Sequence, residues 1–162
     1  MNLIEKSPRE FLEFNYYLER ISDSIPSPLR WYFDFKLYEF DGLSDSVKNI
    51  IARVYPNVDL ERATTEKITF AEMLERLNEK LSSSLRPKAE NVDRVRQIVN
   101  EYSDLWWCLA EYVDFSRAQI HEYSTTNRLD GFGSGGITGN FAFVIIDEQT
   151  RQILFFSGGD CD

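Results

Sequence analysis

Phe141-Ala142-Phe143-Val144-Ile145-Ile146 is an uninterrupted run of six apolar residues, followed after Asp147-Glu148-Gln149-Thr150-Arg151 by a second stretch, Gln152 to Phe156, that is apolar from Ile153 onward. Two short runs rich in β-branched and aromatic residues, separated by a polar connection, read as a β-hairpin. A strand with one wet face alternates apolar and polar side chains, whereas a continuous apolar strand needs cover on both faces. An isolated hairpin is marginal in water. The remainder of the chain must therefore supply further strands or helices against this one.

Most of the upstream signals are helical. Ser7-Pro8-Arg9-Glu10 places a capping residue, a proline and a glutamate as at a helix start, and Phe11, Phe14, Leu18 and Ile21 then recur on one face. A helix opened by Ser44-Asp45 carries Val47, Ile50, Ile51 and Val54 and stops before Pro56. Thr69-Phe70-Ala71-Glu72 is a second capping box, with Met73, Leu74, Leu77 and Leu81 behind it. Val92, Val95, Val99, Tyr102, Trp106, Leu109 and Val113 keep a spacing of three and four, predicting one helix, or two broken near Ser103-Asp104. Residues 57–67 are polar and read as loop. Leu29 to Phe40 carries helix punctuation at its ends, yet Trp31, Phe33, Phe35 and Leu37 alternate with polar or mixed neighbours, which favours a strand. Ile120 to Tyr123 reads as a short strand, and the tail from Gly158 to Asp162 as a frayed end.

The fold expected from these signals is α+β in a single domain over residues 1–162. Its N-terminal two-thirds would be helix-rich, with a small antiparallel sheet built around the C-terminal hairpin. The length of 162 residues suits one domain with its own core. The longest apolar runs fall far short of the ~20 residues that a spanning helix requires. Residues 1–10 lack the apolar stretch of a signal peptide, and two cysteines, one of them penultimate, suggest no disulfide framework. A cytoplasmic protein without membrane contact is the expectation.

Charge narrows the function classes further. Net charge is −9, and from Gln97 onward ten acids face only three arginines, with no lysine after Lys88. Such a surface repels phosphate backbones and attracts cationic proteins, so a basic protein partner is expected and direct nucleic-acid binding is not.

Chemical motifs are few. Gly131-Phe132-Gly133-Ser134-Gly135-Gly136 matches G-x-G-x-x-G in letters only, because a strand follows it where a dinucleotide site needs a helix N-terminus. His121 is the single histidine, and Cys108 has no neighbouring cation in sequence to activate it. No zinc, calcium or nucleophile-elbow spacing occurs, so neither a metal nor another cofactor is implied and no catalytic residue stands out.

What remains is an acidic surface carrying aromatic residues, with Glu101, Asp104, Trp107, Glu111, Asp114 and Phe132 as the candidate partner-binding set. The expected function is an immunity or antitoxin-type inhibitor that occludes the active site of a basic partner such as a nuclease toxin. The alternative is a small-molecule-binding or enzymatic domain with its pocket near the glycine-rich loop 131–139 and the hairpin.

Overall fold

Residues 1–13, 30–84, 106–126, 132 and 140–161 are described by the computed structural model. The hairpin forms as the sequence demands, as β5 (Phe141–Asp147) and β6 (Gln152–Cys161). All seven residues of β5 are buried, which is the two-sided cover implied by its unbroken apolar run. The hairpin lies inside a much larger sheet than expected. That sheet also contains β1 (Leu3–Glu5), β2 (Arg30–Phe40), β3 (Ala63–Ile68) and β4 (Gln119–Thr125), in the order β1-β2-β6-β5-β4-β3, with antiparallel pairing throughout.

The helix-rich expectation is therefore wrong: the described residues are dominated by one six-stranded antiparallel sheet. Three segments account for the difference. Residues 57–67, read as loop, contain the start of β3, an edge strand with only Ala63 and Ile68 buried. An edge strand needs no apolar alternation, so nothing marks it in the sequence. β1 is too short for periodicity to register. The glycine tail is not frayed: β6 runs to Cys161, pairing Gly158 with Phe33 and Asp160 with Trp31. β2 itself confirms the alternation read over 29–40.

Two helices of the described residues are α1 (Val47–Val54) and α2 (Phe70–Ser84). Ser46 caps α1 by accepting from Asn49 N at 3.3 Å, two residues later than the Ser44-Asp45 start read from the sequence. The capping box of α2 forms as expected, with Thr69 Oγ1 accepting from Glu72 N at 3.2 Å and Glu72 Oε2 accepting from Thr69 N at 2.6 Å. Helical turns also occupy 9–13 and 106–110. Residues 111–112 form a turn, so the apolar period reaching Val113 outlasts its helix. Residues 14–29 and 85–105, carrying the rest of both expected helices, lie outside the described residues.

Alternate residues of each strand feed two cores. Phe33, Phe35 and Leu37 of β2 join Phe141, Phe143, Ile145, Leu154 and Phe156 under Met73, Leu77, Leu109, Val113 and Phe11. Phe35 stacks on Phe156 at 4.5 Å across the β2–β6 pair. The opposite face carries Ala142, Val144, Ile146, Ile153 and Phe155, covered by Ile50, Ile51, Tyr55 and Phe132. The helical turns at 9–13 and 106–110 therefore lie on the same side of the sheet as α2.

Candidate functional site: an acidic and apolar surface

Two adjacent tryptophans at the start of the 106–110 segment stand in different environments. Trp106 packs inward, edge-on to Phe70, Phe115 and Phe156 at 5.6–5.9 Å. Trp107, one helical step of about 100° away, is 79% exposed. Leu109 is buried, whereas Ala110 and Glu111 face solvent. The apolar stripe read from the sequence thus places Trp106 and Leu109 correctly, and Trp107 is the large residue outside it.

The N-terminal segment behaves in the same way. Phe11 is buried, touching Phe35 at 5.8 Å and standing edge-on to Tyr112 at 5.5 Å. Its neighbour Leu12 is 71% exposed, flanked by exposed Glu10 and Glu13, with Glu13 in a loose pair with Arg9 at 3.4 Å. The Phe11–Tyr112 contact joins segments about a hundred residues apart in sequence. Electrostatics agree with that proximity: burial first, then Glu111 and Glu10, hold the Cys108 thiol above its ordinary value. Burial followed by Glu10 does the same for the Tyr112 hydroxyl. Cys108 is accordingly the reverse of an activated thiol.

Of the residues singled out by sequence, Trp107 and Glu111 are exposed on this surface. Asp114 is half-buried and already engaged, accepting from Ser116 N at 3.0 Å and Ser116 Oγ at 2.6 Å and pairing with Arg117 at 3.1 Å. Phe132 is fully buried, stacked on Tyr55 at 4.6 Å and beside Tyr123 and Phe155, so it is a core residue and leaves the candidate set. Glu101 and Asp104 lie outside the described residues. Glu10, Leu12 and Glu13 were missed. Leu12 could have been noticed, because a large apolar residue one step off the stripe of an amphipathic helix has no core to enter.

Other polar groupings serve the fold. Arg76 of α2 bridges Glu66 of β3 at 2.8 Å and Glu122 of β4. Asp147, fully buried where β5 turns, accepts from Arg117 Nε and Nη2 at 3.1 and 2.9 Å, from Asp114 N at 3.0 Å and from Gln149 N at 3.1 Å. The turn closes with Arg151 in the left-handed region at φ 56°. On the opposite face Tyr55 donates to Asp34 at 3.1 Å while the Lys36 ammonium sits 4.4 Å from its ring centroid. Burial first, then Asp34, raises the Tyr55 hydroxyl far above its usual range, so it stays protonated. His121 stands across from Lys67 in the β3–β4 pair, and burial, then Lys67, lowers its basicity. Among the described residues no group of three or more potential ligands is placed to hold a metal.

Among solved structures the fold has counterparts. The chain is similar in fold to citrus MAF1. Two crystal structures of that protein, in space groups C 2 2 21 and P 31 2 1, give TM-scores of 0.59 and 0.58 at 13% and 12% identity. They cover 91% and 88% of this chain and 98% and 97% of theirs. At that identity the likeness concerns architecture alone. No protein-family model and no curated protein matches the chain. Among the described residues no helix is long and apolar enough to cross a membrane.

Proposed function

We propose that this chain is a protein-binding domain that captures a basic protein and inhibits it by stoichiometric occlusion, in the manner of an immunity or antitoxin protein. The observation that carries the reading is Trp107, a large aromatic left 79% exposed one turn from Glu111 on a chain of net charge −9. Aromatic residues anchor interfaces, while charge steers encounter and selects partners.

The test is capture of partners from the native host on the immobilised protein, followed by stopped-flow association with the recovered partner. A basic partner is expected, with an association rate that falls steeply as salt rises toward about 0.15 M, where the screening length is about 8 Å. Dissociation should respond less. A partner of acidic or neutral charge, or an association rate indifferent to salt, would end the proposal.

A further inference from the structure

β3 closes one end of the sheet and pairs on one side only, with β4. In an antiparallel strand, successive residues send both of their backbone groups to alternate sides. Ala63 fixes the phase: its N–H donates to Asp59 O at 3.0 Å and its carbonyl accepts from Lys48 Nζ at 2.5 Å, both away from β4. Thr64, Glu66 and Ile68 therefore bond across to Ser124, Glu122 and Ile120, while Thr65 and Lys67 present N–H and C=O outward. Just past the strand, the Thr69 N–H is taken by Glu72 at 2.6 Å. Among the described residues no hydrogen bond reaches the outward groups of Thr65 or Lys67. The edge is thus an open window of two outward-facing residues, closed by partners at either end.

Resting on the binding function proposed above, we infer that this window docks an extended segment of the basic partner, which adds to β3 as an antiparallel strand with a lysine or arginine opposite Glu66.

The side chains at the window select that occupant. Glu66 lies on the α2 side, where Arg76 bridges it at 2.8 Å and also reaches Glu122. One guanidinium serves two carboxylates, and its bond to Glu66 holds that carboxyl below its ordinary value, so it stays ionised. The Glu66 side chain is 65% exposed and open to a second cation. Because the backbone groups of Glu66 point to β4, the residue opposite it on an added strand takes the close position of a pair without hydrogen bonds, with Cα atoms about 4.5 Å apart. On the other face, Thr65 and Lys67 favour β-branched or hydroxyl neighbours, and the Lys67 charge disfavours a further cation there. A second copy of the chain does not fit. Antiparallel self-pairing centred on Glu66 sets that carboxylate against its own copy, and centring on Lys67 sets ammonium against ammonium. Centring on Thr65 needs the Ala63 groups already held by Asp59 and Lys48.

The probe is a short peptide, Val-Thr-Lys-Thr-Val with both ends blocked, titrated into the isotope-labelled full chain and followed by NMR. The Thr65 and Lys67 amides should shift and exchange with solvent more slowly, while the β5 amides stay unmoved. N-methylation of both peptide threonines keeps the charge but removes the two donors that face the edge, and should weaken binding by at least about tenfold. Replacing the peptide lysine with glutamate should weaken it similarly, and Glu66→Gln should erase that preference. Thr65→Pro removes an outward donor without taking a bond from β4, and should abolish peptide binding. If that variant disturbs β3, the N-methylated peptide on the wild type decides. Equal binding of the methylated and unmethylated peptides, or shifts confined to other strands, would overturn the edge as a docking site. The same holds if Thr65→Pro, folded, captures the basic partner as well as the wild type does, although the binding function then stands. If the wild type captures no basic partner, the function proposed above falls and the inference with it.

Discussion

Asp147 is the side chain whose loss should cost this fold most for the smallest change in shape. Its carboxylate is fully buried and accepts from both faces of its surroundings: Arg117 Nε and Nη2 at 3.1 and 2.9 Å, Asp114 N at 3.0 Å, and Gln149 N and Thr150 N at 3.1 and 3.4 Å. Asn in its place keeps the volume but turns one acceptor oxygen into a donor aimed at other donors. Breaking a buried ion pair on one side costs about 3–5 kcal/mol. Arg117 retains partial access to water, so Asp147→Asn should lie near the lower end, about 3 kcal/mol. For a domain of this size that is a fall in Tm of about 6–12 °C. The pH dependence carries the mechanism. Burial works to raise the Asp147 pKa, but the Arg117 bonds and those from Asp114 and Thr150 outweigh it and hold the group well below the usual carboxylate range. A depressed folded-state value means the stabilisation is fully present above the unfolded value of about 3.9 and is lost as pH falls below it toward the folded value. Urea denaturation of wild type and variant should therefore show a constant gap from about pH 5 to 8 that narrows steadily below about pH 4. A gap under about 1 kcal/mol at neutral pH, or one of equal size at pH 7 and pH 3, would show that the ionised carboxylate does not do what its bonding implies.

Phe132→Ala removes a ring stacked on Tyr55 in the second core and should destabilise by about 3–5 kcal/mol in thermal or urea melts. Binding of a basic partner by the fraction that remains folded should be unchanged. Thr69→Ala removes the hydroxyl that accepts from Glu72 N and should cost about 1 kcal/mol, read as a Tm drop of about 2–4 °C. His121 should titrate below its ordinary value in an NMR pH series, because burial and then Lys67 disfavour its charged form. The unfolded chain then binds the proton first, so stability should decline as pH falls through about 6.5, and His121→Gln should remove that step.

The central hairpin was legible because burial on both faces writes itself into sequence as an unbroken apolar run, Phe141 to Ile146. β2 was legible because its two faces differ, with Phe33, Phe35 and Leu37 entering one core and Asp34 and Lys36 lying on the other side. Caps are equally local: the Thr69–Glu72 box forms within four residues and needs nothing from elsewhere. Sequence could not announce β3, since an edge strand buries little and its residues are chosen for solvent. Nor could it announce that Gly158 to Cys161 continues β6, since those residues are held by pairing to β2, more than a hundred positions away. The candidate surface divides in the same way. Acidity and the exposure of Trp107 and Glu111 followed from composition and helical phase, whereas the burial of Phe132 depended on Tyr55 and Phe155 reaching it. That Phe11 lies against Tyr112, with Glu10 near Cys108, was decided only by packing between segments far apart in sequence. Helical phase fixes which side of a segment is wet, but which wet sides become neighbours is settled by long-range packing, and no periodicity records it.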